Sequence, residues 1–159
     1  MERPFLGRYV AVVGPSDSAR DSDLEHARAV GRGLAERGAV VLTGGMNGVM
    51  QEAARGAAEA GGTSIGLLPG PDRAGAAPEN TFTLPTGLGE LRNGLLVRAA
   101  DAVIAVGCSW GTLSEIALSR RTGVPLVLLD SWDLPADAGV RTADPREALE
   151  ALVGLLRAD

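Results

Sequence analysis

Apolar residues in this chain fall into short runs separated by segments of helical period. Tyr9-Val10-Ala11-Val12-Val13, Ala39-Val40-Val41-Leu42, Ser64-Ile65-Gly66-Leu67-Leu68, Ala102-Val103-Ile104-Ala105-Val106 and Val124 to Leu129 read as buried strands. Phe82-Thr83-Leu84 reads as a shorter one. From Ser22 to Arg37, Leu24, Ala27, Val30 and Leu34 recur at helical spacing, with Gly38 as the stop. Further helices are predicted over Asn47–Ala60, Leu88–Ala100 and Gly111–Thr122. The last helix starts at a capping box, Asp144-Pro145-Arg146-Glu147, and presents Leu149, Leu152, Val153 and Leu156 on one face. Residues 69–80, rich in Pro and Gly, are predicted to form a mobile loop.

Strands that are apolar throughout and alternate with helices imply a parallel sheet covered on both faces. The expectation is one α/β domain over residues 1–159, a Rossmann-like doubly wound sheet in a three-layer α/β/α sandwich. Right-handed crossovers then place the strand-to-helix turns at one sheet edge, where such folds bind ligands. Three turns at that edge look specialised: Gly14-Pro15-Ser16, Thr43 to Gly48, and Gly107 to Thr112.

Composition narrows the chemistry. Net charge is −5 and aromatic residues make up 3%, so Ala, Val, Leu and Gly build the core and no basic footprint for nucleic acid or anionic membrane exists. All fifteen basic residues are Arg. Without Lys, neither a Walker-type phosphate loop nor a pyridoxal Schiff base can form. One Cys excludes an internal disulfide, and one His, His26, leaves little material for a multi-His zinc site or a Ser-His triad. No metal site is expected. The apolar runs are too short to span a bilayer, so the expected setting is soluble and cytoplasmic.

The glycine turns carry the chemistry. Thr43, Gly44, Gly45, Asn47 and Gly48 lead from a strand into a helix, where backbone N–H groups face an anion at the positive helix end. Gly107, Cys108, Ser109, Trp110, Gly111 and Thr112 repeat this logic, with Thr112 able to donate to a phosphate oxygen. Glu115 completes a local capping box, Thr112-Leu113-Ser114-Glu115, or faces the ligand. Trp110 stacks on a base or packs at a subunit contact. Cys108 is read as a small packed side chain, and His26 as a surface residue. Asp17, Asp21 and Asp23 suit a helix N-terminus, and Arg120-Arg121 a helix C-terminus. Asp101 is read as structural.

Gly44-Gly45-Met46-Asn47-Gly48-Val49-Met50, with Gly56-Ala57 and Ala60-Gly61-Gly62 after it, resembles the first motif of the LONELY GUY-like superfamily. Arg92-Asn93, Ala100 to Ile104 and Gly111-Thr112-Leu113-Ser114-Glu115-Ile116 resemble its second half, in order and spacing from Tyr9 to Leu129. The superfamily includes nucleoside 5′-monophosphate phosphoribohydrolases, relatives of the DNA-processing protein, and molybdenum-cofactor carriers; its old label of lysine decarboxylase needs a Lys absent here. The resemblance implies catalytic roles for Arg92 and Glu115, the carboxylate stabilising oxocarbenium charge on the ribose. Where the hydrolases carry Pro-Gly-Gly-aromatic-Gly-Thr and Arg-Lys, this chain has Gly107 to Thr112 and Arg92-Asn93, closer to the carrier subgroup.

The expected function is binding of a small phosphorylated nucleotide-like ligand, a nucleoside monophosphate or a molybdopterin-type cofactor, with no cofactor required for it. Hydrolysis of an N-glycosidic bond is the alternative, and an assembly role akin to the DNA-processing relatives a third. A dimer or tetramer is expected, without nucleic-acid or membrane partners.

Overall fold

A computed structural model describes residues 2–157. Its seven strands are β1 (Tyr9–Val13), β2 (Val40–Thr43), β3 (Ser64–Leu68), β4 (Phe82–Pro85), β5 (Ala102–Val106), β6 (Leu126–Leu129) and β7 (Val140–Thr142). The helices are α1 (Asp21–Glu36), α2 (Val49–Glu59), α3 (Arg92–Ala99), α4 (Trp110–Thr122) and α5 (Pro145–Arg157). All strand pairs are parallel, in the order β4-β3-β2-β1-β5-β6-β7. The chain winds outward from β1 in one direction and then from β5 in the other, so the fold is the expected Rossmann-like α/β domain with its switch point between β1 and β5.

The pleat sorts the core. Val10, Val12, Ile104, Val106, Val127 and Leu129 face α1, α2 and α5. Their neighbours Ala11, Val13, Val103, Ala105 and Leu128 face Leu96 of α3 and Ile116 of α4. With so few aromatics, close backbone approach replaces bulk: a Cβ on Gly31 would collide with the Ala53 carbonyl, and one on Gly56 with that of Arg28. Those two glycines let α1 and α2 touch main chain to main chain.

The predicted capping box of α5 forms: the Glu147 N–H donates to Asp144 Oδ1 at 2.9 Å, and the Ala143 N–H to Glu147 Oε2 at 2.9 Å. Elsewhere the sequence expectations shift. A 3-10 turn, Gly89–Leu91, replaces the first turn of the helix expected from Leu88. β7 was not expected, being three residues of the polar-flanked sequence Val-Arg-Thr on the sheet edge. The loop 69–80 is pinned at its far end, because Ala77 N–H and Asn80 Nδ2 both donate to the Gly45 carbonyl, at 2.8 and 3.0 Å. Among the described residues, no helix is long and apolar enough to cross a membrane.

Candidate functional site

Three turns and one helix converge at the carboxyl edge of the sheet. A cavity of about 150 Å³ opens beyond the end of β1, lined by Gly14 and Ser16, by Gly44, by Arg92, and by Thr112 and Glu115, with Ser109 and Gly111 at its rim. This is the crevice at the switch point, where open α/β sheets place their ligands. Among the sequence-predicted residues, these eight are the ones the fold brings together.

The turn after β5 is organised by Ser109, which caps α4: its Oγ accepts the Thr112 N–H at 3.2 Å and lies 2.9 Å from Thr112 Oγ1. The helix therefore starts at Trp110, and the box expected from Thr112 to Glu115 does not exist. As the sixth residue of that helix, Glu115 has no free backbone N–H to reach back to, since the Thr112 N–H is taken by Ser109. Its carboxylate is instead left for the cavity, 9% exposed and without a hydrogen bond to any described residue. Burial pushes the Glu115 carboxyl up from 4.5 to about 7, and the Arg92 charge opposes only part of that rise.

Arg92 does not pair with Glu115; no ion pair within 4.0 Å joins them. Its Nη1 donates to the carbonyls of Gly44 and Leu67, each at 2.7 Å, and its Nε to Asn93 Oδ1 at 3.3 Å. The guanidinium thus ties the ends of β2 and β3 to α3 and presents a half-buried cation to the cavity. Desolvation lowers its pKa, the Glu115 charge working against this. Gly44 is small because a Cβ there would lie 2.5 Å from Arg92 Nη1.

The rest of the first turn serves the scaffold. Thr43 Oγ1 accepts the Gly45 N–H at 2.9 Å, and Gly45, at φ +80°, packs on Gly66 and holds the loop 69–80. Asn47 Nδ2 donates to Asp17 Oδ1 at 2.7 Å. Gly48, at φ +68°, lets the turn pack on Pro15 and Ser16. Of the five residues singled out in that turn, only Gly44 lines the cavity.

Gly107, Cys108 and Trp110 lie on the other side of α4's start. Gly107, at φ +67°, faces the Asp23 carboxylate. Asp23 is 2% exposed and accepts from the Arg20 N–H at 3.0 Å and from its Nε and Nη2 at 3.1 and 2.8 Å. It is therefore a buried structural ion, beyond the helix-dipole role read from sequence. Cys108 and Trp110 line a second cavity of about 470 Å³ with Arg20, Asp130, Ser131 and Trp132. Burial pushes the Cys108 thiol up, the opposite of the shift that activates a nucleophile. His26 is half-buried with Nδ1 unpartnered, not a free surface side chain. Asp101 Oδ2 accepts the Tyr9 N–H at 2.8 Å, the structural role expected of it.

Met50, part of the first motif but given no site role from sequence, lines the smaller cavity, and Arg20, Asp130, Ser131 and Trp132, not singled out from sequence, line the larger one. Asp130 follows β6 as Gly107 follows β5, and its place after a buried strand is the signal that marks it.

The SLOG cluster4 family model matches residues 7–151, and the chain belongs to that family. Among solved structures it is similar to the molybdenum cofactor binding protein of Rippkaea orientalis, at 33% identity and a TM-score of 0.89, covering 94% of this chain and 97% of that one. It is similar also to the molybdenum cofactor carrier protein of Chlamydomonas reinhardtii, at 34% identity and a TM-score of 0.88, over 96% and 99% of the two chains. An uncharacterized protein of Archaeoglobus fulgidus is 34% identical over 117 residues, 72% of this chain and 74% of that one. DNA processing protein A of Helicobacter pylori shares the fold alone, at 19% identity and a TM-score of 0.70.

Proposed function

We propose that this protein binds a small phosphorylated ligand, nucleotide-like or of molybdopterin type, and acts as its carrier. The carrying observation is the convergence of three turns, the start of α4 and the Arg92 cation on one cavity at the switch point. The Gly111 N–H takes no partner among the described residues, and Gly111 lines that cavity at the positive end of a 13-residue helix. At about 150 Å³ the cavity is smaller than the roughly 300–1,000 Å³ of a whole-ligand pocket, so it seats the phosphorylated end. The similarity to two molybdenum cofactor proteins over nearly the full chain supports the pterin member of this ligand class.

Isothermal titration with AMP, other nucleotides and a pterin phosphate tests the reading. Binding of one of them is expected; no heat from any of them at millimolar concentration overturns it. A mass spectrum of the native protein identifies any ligand that co-purifies.

One observation favours a second reading, N-glycosidic hydrolysis of a nucleoside monophosphate. A buried carboxyl that titrates near 7 suits proton donation to a departing base or activation of water. Free base released from AMP, and abolished in Glu115→Ala, is the required result.

We also propose a homo-oligomer. Phe82 and Leu84 on the edge strand β4, and Leu88, Leu91 and Leu95 at and before α3, are all exposed. Light scattering at micromolar concentration is expected to give a multiple of 16.3 kDa; a monomer overturns the proposal.

A further inference from the structure

The second cavity shares Ser109 with the first but differs from it in size and chemistry, at about 470 Å³ against about 150 Å³. Trp110 and Trp132 form one wall, with ring centroids 5.0 Å apart and planes at 77°. Trp110 is 79% exposed, a large flat apolar surface left open beside the start of α4. The polar wall holds one cation and two carboxylates, Arg20, Asp23 and Asp130, so it repels a second phosphate and suits a neutral ring.

Arg20 and Asp130 stand side by side. Arg20 Nη2 donates to Asp130 Oδ2 at 3.2 Å and to the Asp130 carbonyl at 3.1 Å, while its Nη1 has no partner among the described residues. Asp130 adopts φ +50°, a conformation uncommon outside glycine, and is held there by Arg20 and by its N–H donating to the Thr142 carbonyl at 3.1 Å. Its side chain remains 45% exposed. Ser131 Oγ, next along, is buried without a partner. A carboxylate beside a free guanidinium N–H offers two acceptors next to one donor. A guanine or pterin ring presents the complement: a ring N–H and an exocyclic amino group for the carboxylate, and an adjacent carbonyl oxygen for the guanidinium. Adenine gives the carboxylate one N–H beside a ring-nitrogen lone pair, so one of the two contacts is lost.

We propose that this cavity seats the heterocycle of the ligand, that the tryptophan pair covers the ring, and that Asp130 beside Arg20 selects a guanine- or pterin-type amide edge over adenine. The proposal rests on the reading that the phosphorylated end occupies the smaller cavity.

The chain has two tryptophans, and both line this cavity, so tryptophan emission reports on it. The experiment titrates the whole protein with GMP, AMP and inorganic phosphate, following tryptophan emission and, in parallel, heat. Unsubstituted pterin is titrated by heat alone. GMP is expected to quench emission and to bind about tenfold more tightly than AMP. Inorganic phosphate is expected to bind without quenching. Heat from pterin, competed by GMP, assigns the edge to the pterin class; GMP binding without it assigns the edge to guanine. Asp130→Asn, which keeps a residue tolerant of positive φ, is expected to abolish the preference for GMP while inorganic phosphate binds as before. Equal affinities for GMP and AMP, or a preference that survives Asp130→Asn, overturn this proposal and leave phosphate binding standing. If neither phosphate nor any nucleotide binds, the ligand-binding reading itself has failed.

Discussion

Replacing Glu115 by Gln makes the sharpest test of how the cavity is built. The side chain keeps its shape and loses its ionisation. Burial holds the wild-type carboxyl near 7 in the folded protein, against an ordinary 4.5. At about 1.4 kcal/mol per pH unit, that gap corresponds to about 3 kcal/mol. Because the folded value lies above the unfolded one, the folded state binds the proton more tightly. The contribution to stability is complete below about 4.5 and is lost as pH rises through about 7. Glu115→Gln has no such dependence. A buried amide lacking partners adds a cost of roughly 1–3 kcal/mol, but that offset does not change with pH. Urea unfolding of both proteins, followed by circular dichroism from pH 4.5 to pH 8, isolates the titration in the difference between them. The variant is expected to gain about 3 kcal/mol on the wild type across that range, most of it between pH 5 and 7. A difference that stays constant with pH shows that the carboxyl is hydrated in the folded protein and that the cavity is open to bulk water.

Arg92→Ala removes two charge-assisted hydrogen bonds to the Gly44 and Leu67 carbonyls; about 2 kcal/mol of stability is expected to be lost in urea unfolding. The Glu115 carboxyl should then titrate still higher, a shift readable by carboxyl NMR, since its opposing cation is gone. Gly107→Ala puts a Cβ 2.7 Å from Asp23 Oδ1 on a residue at φ +67°, and is expected to cost roughly 1–3 kcal/mol, measured by thermal unfolding. Thr112→Val breaks the hydroxyl pair with Ser109 while keeping the helix cap. Calorimetry should show about tenfold weaker binding of a phosphorylated ligand, with unchanged stability within about 1 kcal/mol.

Much of the architecture was legible in the order of residues. β1, β2, β5 and β6 are buried because their runs are apolar on both pleat faces, and α5 starts where Asp144 and Glu147 supply its caps. Those are local facts, set by periodicity and by backbone groups that need partners. β7 was not legible, since Val140-Arg141-Thr142 becomes a strand only by pairing with β6. The site divides the same way. Glycine spacing marked the turns, but not which of their residues line the cavity. Asn47 is bound to Asp17, thirty positions away in sequence, and Gly45 to a loop that arrives after β3. Moving the α4 cap from Thr112 to Ser109 is a single shift of helix register, yet it turns Glu115 from a capping residue into a buried, unpartnered carboxyl. Periodicity places a side chain on a face of its own element. What that face meets is decided by the packing of elements distant in sequence, which here set Arg20 beside Asp130 and Trp110 beside Trp132.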